Sequence, residues 1–109
     1  MSTPGEEARS SFESTTGGVM TVEAGAITGE LEVATRPGDG ALEVRARYVG
    51  AEEWYTVDGS PVTLEGSAQP SLPELHERVL NRLRQPGPVV GGNEQPTSLR
   101  GFSPTSGNA

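Results

Sequence analysis

The chain has 109 residues, with 15 acidic and 8 basic side chains, a formal net charge of -7 and no cysteine. That composition excludes disulfides, thiolate nucleophiles and sulfur-ligated metal sites, and it opposes generic nucleic-acid binding, which draws its affinity from Lys and Arg neutralising phosphates. The length predicts one domain, and no apolar run approaches a membrane span.

Residues 1–18 are Ser, Thr, Gly, Pro and Glu with few apolar groups, a composition that does not offset the entropy of ordering, so a disordered N-terminal tail is predicted. The acidic start Met1-Ser2-Thr3-Pro4-Gly5-Glu6-Glu7 is the reverse of a signal peptide, which makes a soluble, cytoplasmic protein the default expectation. Val19-Met20-Thr21-Val22 is a candidate extra strand. The following Ala24-Gly25 argues against a tight turn there, because alanine resists positive φ.

Alternation becomes clear from Ile27. Leu31 and Val33 share its parity while Thr28, Glu30 and Glu32 take the other, and beyond Pro37-Gly38-Asp39-Gly40 the apolar Leu42, Val44, Ala46 and Tyr48 alternate with Glu43, Arg45 and Arg47. A four-residue turn pairs Val33 with Val44 and Leu31 with Ala46. On the other face it sets Glu32 opposite Arg45, Glu30 opposite Arg47, and Gly29 opposite Tyr48. A loop over Gly50-Ala51-Glu52-Glu53 then pairs Val49 with Trp54 and Tyr48 with Tyr55. Asp58-Gly59 suits a two-residue hairpin turn that brings Tyr55 opposite Val62, with Pro61 marking an edge strand.

Ser71-Leu72-Pro73-Glu74 reads as a capping box opening a helix that Pro86-Gly87-Pro88 ends. Leu72, Leu75, Val79, Leu80 and Leu83 form its apolar stripe. The predicted fold is therefore α+β: an antiparallel meander of four strands, or five with 19–24, carrying one C-terminal helix on one face. The folded part spans 19–85, and 86–109 forms a second disordered tail. So small a core favours self-association, and a homodimer is one expected partner arrangement.

No residue pattern names a catalytic site. His76, the single histidine, falls within the helix stripe between Leu72 and Leu80. It is read either as a structural group at the helix–sheet interface or as a general base, switch or ligand contact. The carboxylates Glu30 and Glu32 are matched to arginines, Glu52 and Glu53 lie in a loop, and Asp58 belongs to a turn, so neither a metal site nor an acid–base pair is indicated, and no cofactor is expected. Gly38 and Gly40 lead into a strand rather than a helix, unlike a phosphate-binding loop.

Trp54 stands apart. The register puts it on the charged outer face beside Val49, where no core accounts for it, and tryptophan is enriched among binding hot spots. Arg45 and Arg47 next to it would supply orienting polar contacts. The sequence thus favours a non-enzymatic interaction module, an accessory or regulatory protein meeting another protein through Trp54, Val49, Arg45 and Arg47. The alternative is a small-molecule-binding protein or small enzyme using His76 with a carboxylate. A third class, an acidic protein imitating phosphate charge, is weakened by the alternating signs on the sheet. Neither nucleic acid nor membrane is an expected partner.

Overall fold

A computed structural model of the chain describes residues 7–38, 40–64 and 71–103. Mostly antiparallel strands form a meander-like sheet with one helix, a small α+β domain. The strands are β1 (Ala8–Glu13), β2 (Val19–Thr21), β3 (Gly25–Ile27), β4 (Glu30–Pro37), β5 (Ala41–Tyr48), β6 (Tyr55–Thr56) and β7 (Val62–Thr63). Helix α1 (Leu72–Leu83) and the strands β8 (Val89–Val90) and β9 (Asn93–Glu94) complete the chain. The main sheet runs β1-β4-β5-β6, with β7 also on β5, while β2-β3 and β8-β9 are separate hairpins.

The face assignment of the central hairpin holds and its register moves by two residues. Glu32 faces Arg47, Val33 faces Ala46 and Arg36 faces Glu43, so the predicted partners Arg45 for Glu32 and Val44 for Val33 are corrected. Gly38 N–H donates to Ala41 C=O (2.8 Å), which centres the reversal further along the chain than a Pro37–Gly40 loop would. Gly40 takes φ +64°, a conformation that strongly favours glycine. A two-residue slip keeps every side chain on its face, so burial cannot oppose it.

The next pairing slips likewise. Ala46 faces Tyr55 and Arg45 faces Thr56, so Val49 does not pair with Trp54, nor Tyr48 with Tyr55. Asp58-Gly59 closes no hairpin: β6 and β7 both run antiparallel to β5 and form one interrupted strand, so Tyr55 is not opposite Val62. Tertiary contacts override the local turn preference, because Asp58 N–H donates to Met20 C=O (2.9 Å) and Leu99 N–H to Asp58 C=O (2.8 Å).

Residues 19–27 do form a hairpin, β2-β3. Its turn solves the Ala24 problem by placing Gly25, not Ala24, at φ +69°. Helix α1 begins as predicted: the Ser71 hydroxyl accepts from Glu74 N–H (3.4 Å), while the Glu74 carboxylate takes Arg78 (2.8 Å). Leu75, Val79, Leu80 and Leu83 bury against the sheet together with Leu31, Val33, Leu42, Val44 and Ala46.

Secondary structure is present beyond 19–85 on both sides. Residues 8–13 form an edge strand whose inner positions, Ser10 and Phe12, meet α1, where Arg84 stacks on Phe12 (5.8 Å) and His76 reaches Ser10. After the helix, the chain returns across the body: Met20 N–H donates to Thr97 C=O and Thr97 N–H to Gly18 C=O (2.8 Å each), and Leu99 is buried in the core. Arg82 donates from Nε to Ser98 C=O (2.9 Å) and from Nη2 to Arg100 C=O (2.8 Å), clamping that segment to the helix.

Candidate functional site

The outer face of the main sheet is built by alternation alone. Arg9 on β1, Ala34 on β4, Arg45 on β5 and Thr56 on β6 form one row across it, and Ser11, Glu32 and Arg47 form the next. Trp54, just before β6, extends the second row beyond Arg47. The Arg47 guanidinium carbon lies 4.4 Å from the indole centroid and that of Arg9 5.4 Å, so the ring is flanked by two cations. An indole face attracts a guanidinium through its quadrupole, by about 0.5–1 kcal/mol at exposed sites and more where water is excluded.

Arg47 is pinned. Its Nε donates to Glu32 Oε1 (2.8 Å) and its Nη1 to Ala51 C=O (3.0 Å), which fixes the loop leading to Trp54. Arg9 donates from Nε to Glu7 (2.8 Å) and reaches over the row to the indole. Ala34, between Arg9 and Arg45 on this face, is only 3% exposed, although the helix lies on the other side. Long arginine stems cover apolar surface in this way while keeping their charge in water. Arg45 itself is exposed and makes no ion pair among the described residues.

The predicted partner-contact residues are thus divided. Trp54, Arg45 and Arg47 are brought together, with Arg9 joining them from β1, a residue that composition had placed in a tail. Val49 is 48% exposed and follows the end of β5, where its N–H donates to Glu30 C=O (3.1 Å). Glu23 flanks the cluster: Thr56 donates to its carboxylate from N–H (2.6 Å) and from Oγ1 (2.8 Å). Those bonds, chiefly the backbone one, hold the Glu23 carboxyl below the ordinary carboxylate range.

His76 lies on the opposite side of the sheet, 6% exposed. Nδ1 is 2.8 Å from Thr35 Oγ1 and Nε2 is 3.0 Å from Ser10 Oγ. Neutral imidazole donates at one nitrogen and accepts at the other, and hydroxyls serve either role, so both ring nitrogens are satisfied without a carboxylate. Burial lowers the His76 pKa; the nearby Glu77 charge opposes that shift and Arg84 adds to it.

A cleft of about 630 Å³ lies between residues 58–63 and the 99–103 segment. It contains the Asp58–Arg100 pair (2.6 Å), in which the hydrogen-bonded Asp58 raises the Arg100 pKa. Each charge neutralises the other, and among the described residues of the lining there is no histidine or second carboxylate to form an acid–base couple. Among the described residues no cluster of three or more His, Asp or Glu is placed to hold a metal ion, and no helix is long and apolar enough to cross a membrane.

Comparison of the chain with known protein families, with curated proteins and with solved structures finds no match.

Proposed function

We propose that this protein is a non-enzymatic interaction module whose outer sheet face binds another protein, with Trp54 as the anchor and Arg45 as the recognition charge. The observation that carries the reading is the approach of the Arg9 and Arg47 guanidinium groups to the Trp54 ring on the outer face of the sheet. An indole held in place by two guanidinium groups has already lost much of its freedom, so a partner covering it forfeits little further entropy. Arg45, without an ion pair among the described residues, supplies the polar demand: a carboxylate on the partner would complete the row that Arg9, Ala34 and Arg45 begin.

This reading makes the partner an acidic segment bearing an apolar group, and the protein an accessory or regulatory one. The alternative, small-molecule binding or catalysis at His76, rests on a ring whose nitrogens are taken by Thr35 and Ser10. Of the two, the outer face has an exposed arginine without an ion pair among the described residues and a half-buried hot-spot residue.

Affinity capture from the native cell with the wild-type chain, followed by rebinding of the purified partner, tests the proposal. Trp54→Ala and Arg45→Glu should each abolish rebinding while circular dichroism stays native. Equal capture by wild type and both variants would overturn it.

A further inference from the structure

The two edges of the main sheet are protected very differently. On the β5 side, β6 and β7 have only two residues each, Pro61 interrupts them, Glu23 caps the Thr56 amide, and β2 lies alongside through the Thr21–Val57 bridge. Short, proline-broken and covered edges prevent unwanted pairing. On the other side, β1 is an uninterrupted six-residue strand. The bond from Ser14 N–H to Gly29 C=O sets the alternation along the β1–β4 ladder, so Ser10 and Phe12 turn their backbone groups toward β4. Arg9, Ser11 and Glu13 turn theirs outward, are exposed, and bond to no other backbone among the described residues.

The charges on this edge are only partly matched. Glu13 stands directly opposite Glu30, a like-charge pair within the sheet, and Arg9 stands opposite Ala34. Arg9 uses only Nε toward Glu7, leaving its Nη nitrogens without a hydrogen bond among the described residues. The strand therefore offers a cation near one end and a poorly compensated carboxylate at the other.

We propose that a second copy of this chain pairs its β1 antiparallel to β1 about Ser11, fusing the two sheets across a two-fold axis. In that register Ser11 faces Ser11 of the second copy, Arg9 faces its Glu13, and Glu13 faces its Arg9. The same residues carry the outward backbone groups, so each pair exchanges N–H···O bonds in both directions. On the inner face Phe12 meets Ser10 of the second copy. Sliding the pairing to centre on Ser10 would set Glu13 against Glu7, like charges that disfavour it. Such an interface is isologous, the commonest arrangement in homodimers, and it places the two Trp54 faces on the same side of one extended sheet. The proposal shares Arg9 with the Trp54 surface, so Glu13→Arg and Ser11→Lys, which leave that contact in place, test it independently of what Trp54 binds.

Sedimentation equilibrium over a wide concentration range tests it. The wild-type chain should show a species of twice the 11.4 kDa chain mass. Glu13→Arg alone and Arg9→Glu alone should each weaken dimerisation about tenfold or more, by setting like charges across the axis. Mixing those two variants should restore a dimer, because every cross-axis pair becomes opposite in sign. Should either charge reversal fail to fold, Ser11→Lys decides: it puts two cations on the axis while facing Glu32 within its own sheet, and should also yield monomers. A wild-type chain that stays monomeric to its solubility limit, or a dimer indifferent to these reversals, would overturn the proposal.

Discussion

Arg47 places its guanidinium carbon 4.4 Å from the centroid of the Trp54 ring while its Nε holds Glu32 at 2.8 Å, so one side chain links the central hairpin to the indole. The Arg47 and Glu32 side chains are 23% and 22% exposed, less than the other ion pairs of the sheet, which gives this contact more weight than a fully solvated pair. Arg47→Ala removes the stack, the ion pair and the bond to Ala51 C=O together, and is expected to cost about 1–2 kcal/mol in urea unfolding. A double-mutant cycle with Trp54→Ala should show coupling; strict additivity would mean that the stack contributes nothing.

His76 should make stability depend on pH. Its pKa is lowered in the folded protein, chiefly by burial, so below the ordinary value of 6.5 the unfolded chain binds the proton more readily. Stability therefore falls as pH drops from 6.5 toward the lowered folded value, and the loss is complete below it. His76→Gln should flatten the unfolding midpoint across that window. Glu23, also held low by Thr56, acts in a lower window, losing its contribution as pH falls below 4.5.

Gly17 and Gly87 should not accept a side chain. The Gln95 carbonyl passes so close to both that a methyl group at either position would overlap backbone. Gly87→Ala and Gly17→Ala are each expected to destabilise by about 3 kcal/mol. Gly91→Ala, with open space around it and φ +61°, should cost only the backbone term of about 1 kcal/mol. Chemical denaturation of the three variants side by side gives the comparison.

Leu99 is 2% exposed and belongs to the same core as Leu83 and Val57. Leu99→Ala should therefore cost about 2–5 kcal/mol, as for any buried leucine truncation. A near-neutral result in thermal or urea unfolding would mean that the segment after the helix is not part of the cooperative unit.

Particular residues mark how far the sequence could be read. Alternation gave the faces of Leu31, Glu32 and Val33 and of Leu42 through Arg47, and the Ser71 cap with the leucine stripe located the helix, because burial penalises a one-residue error on each side chain at once. The exact partners escaped, since Glu32 finds an arginine opposite it in either register, at position 45 or 47, and both keep Val33 inside. Asp58-Gly59 misled because a local turn preference of modest size met the stronger demands of Met20, Leu99 and Arg100. The strand at 8–13 and the return at 95–99 were hidden by their polar composition: they are held by backbone bonds and by slots at Gly17, Gly59 and Gly87. At the candidate site, Trp54 beside Arg47 was legible, whereas Arg9 was not, because its approach depends on a strand that sequence composition disfavours.

Trp54 is the only tryptophan in the chain, so its fluorescence reports on the proposed surface alone. Titrating the purified, captured partner into the wild-type protein tests the central claim most directly. The emission should shift to the blue and lose accessibility to a neutral quencher as the indole is covered, with the change saturating at the binding stoichiometry and weakened by Arg45→Glu. Binding detected by another method while the Trp54 spectrum and quenching remain those of the free protein would contradict it.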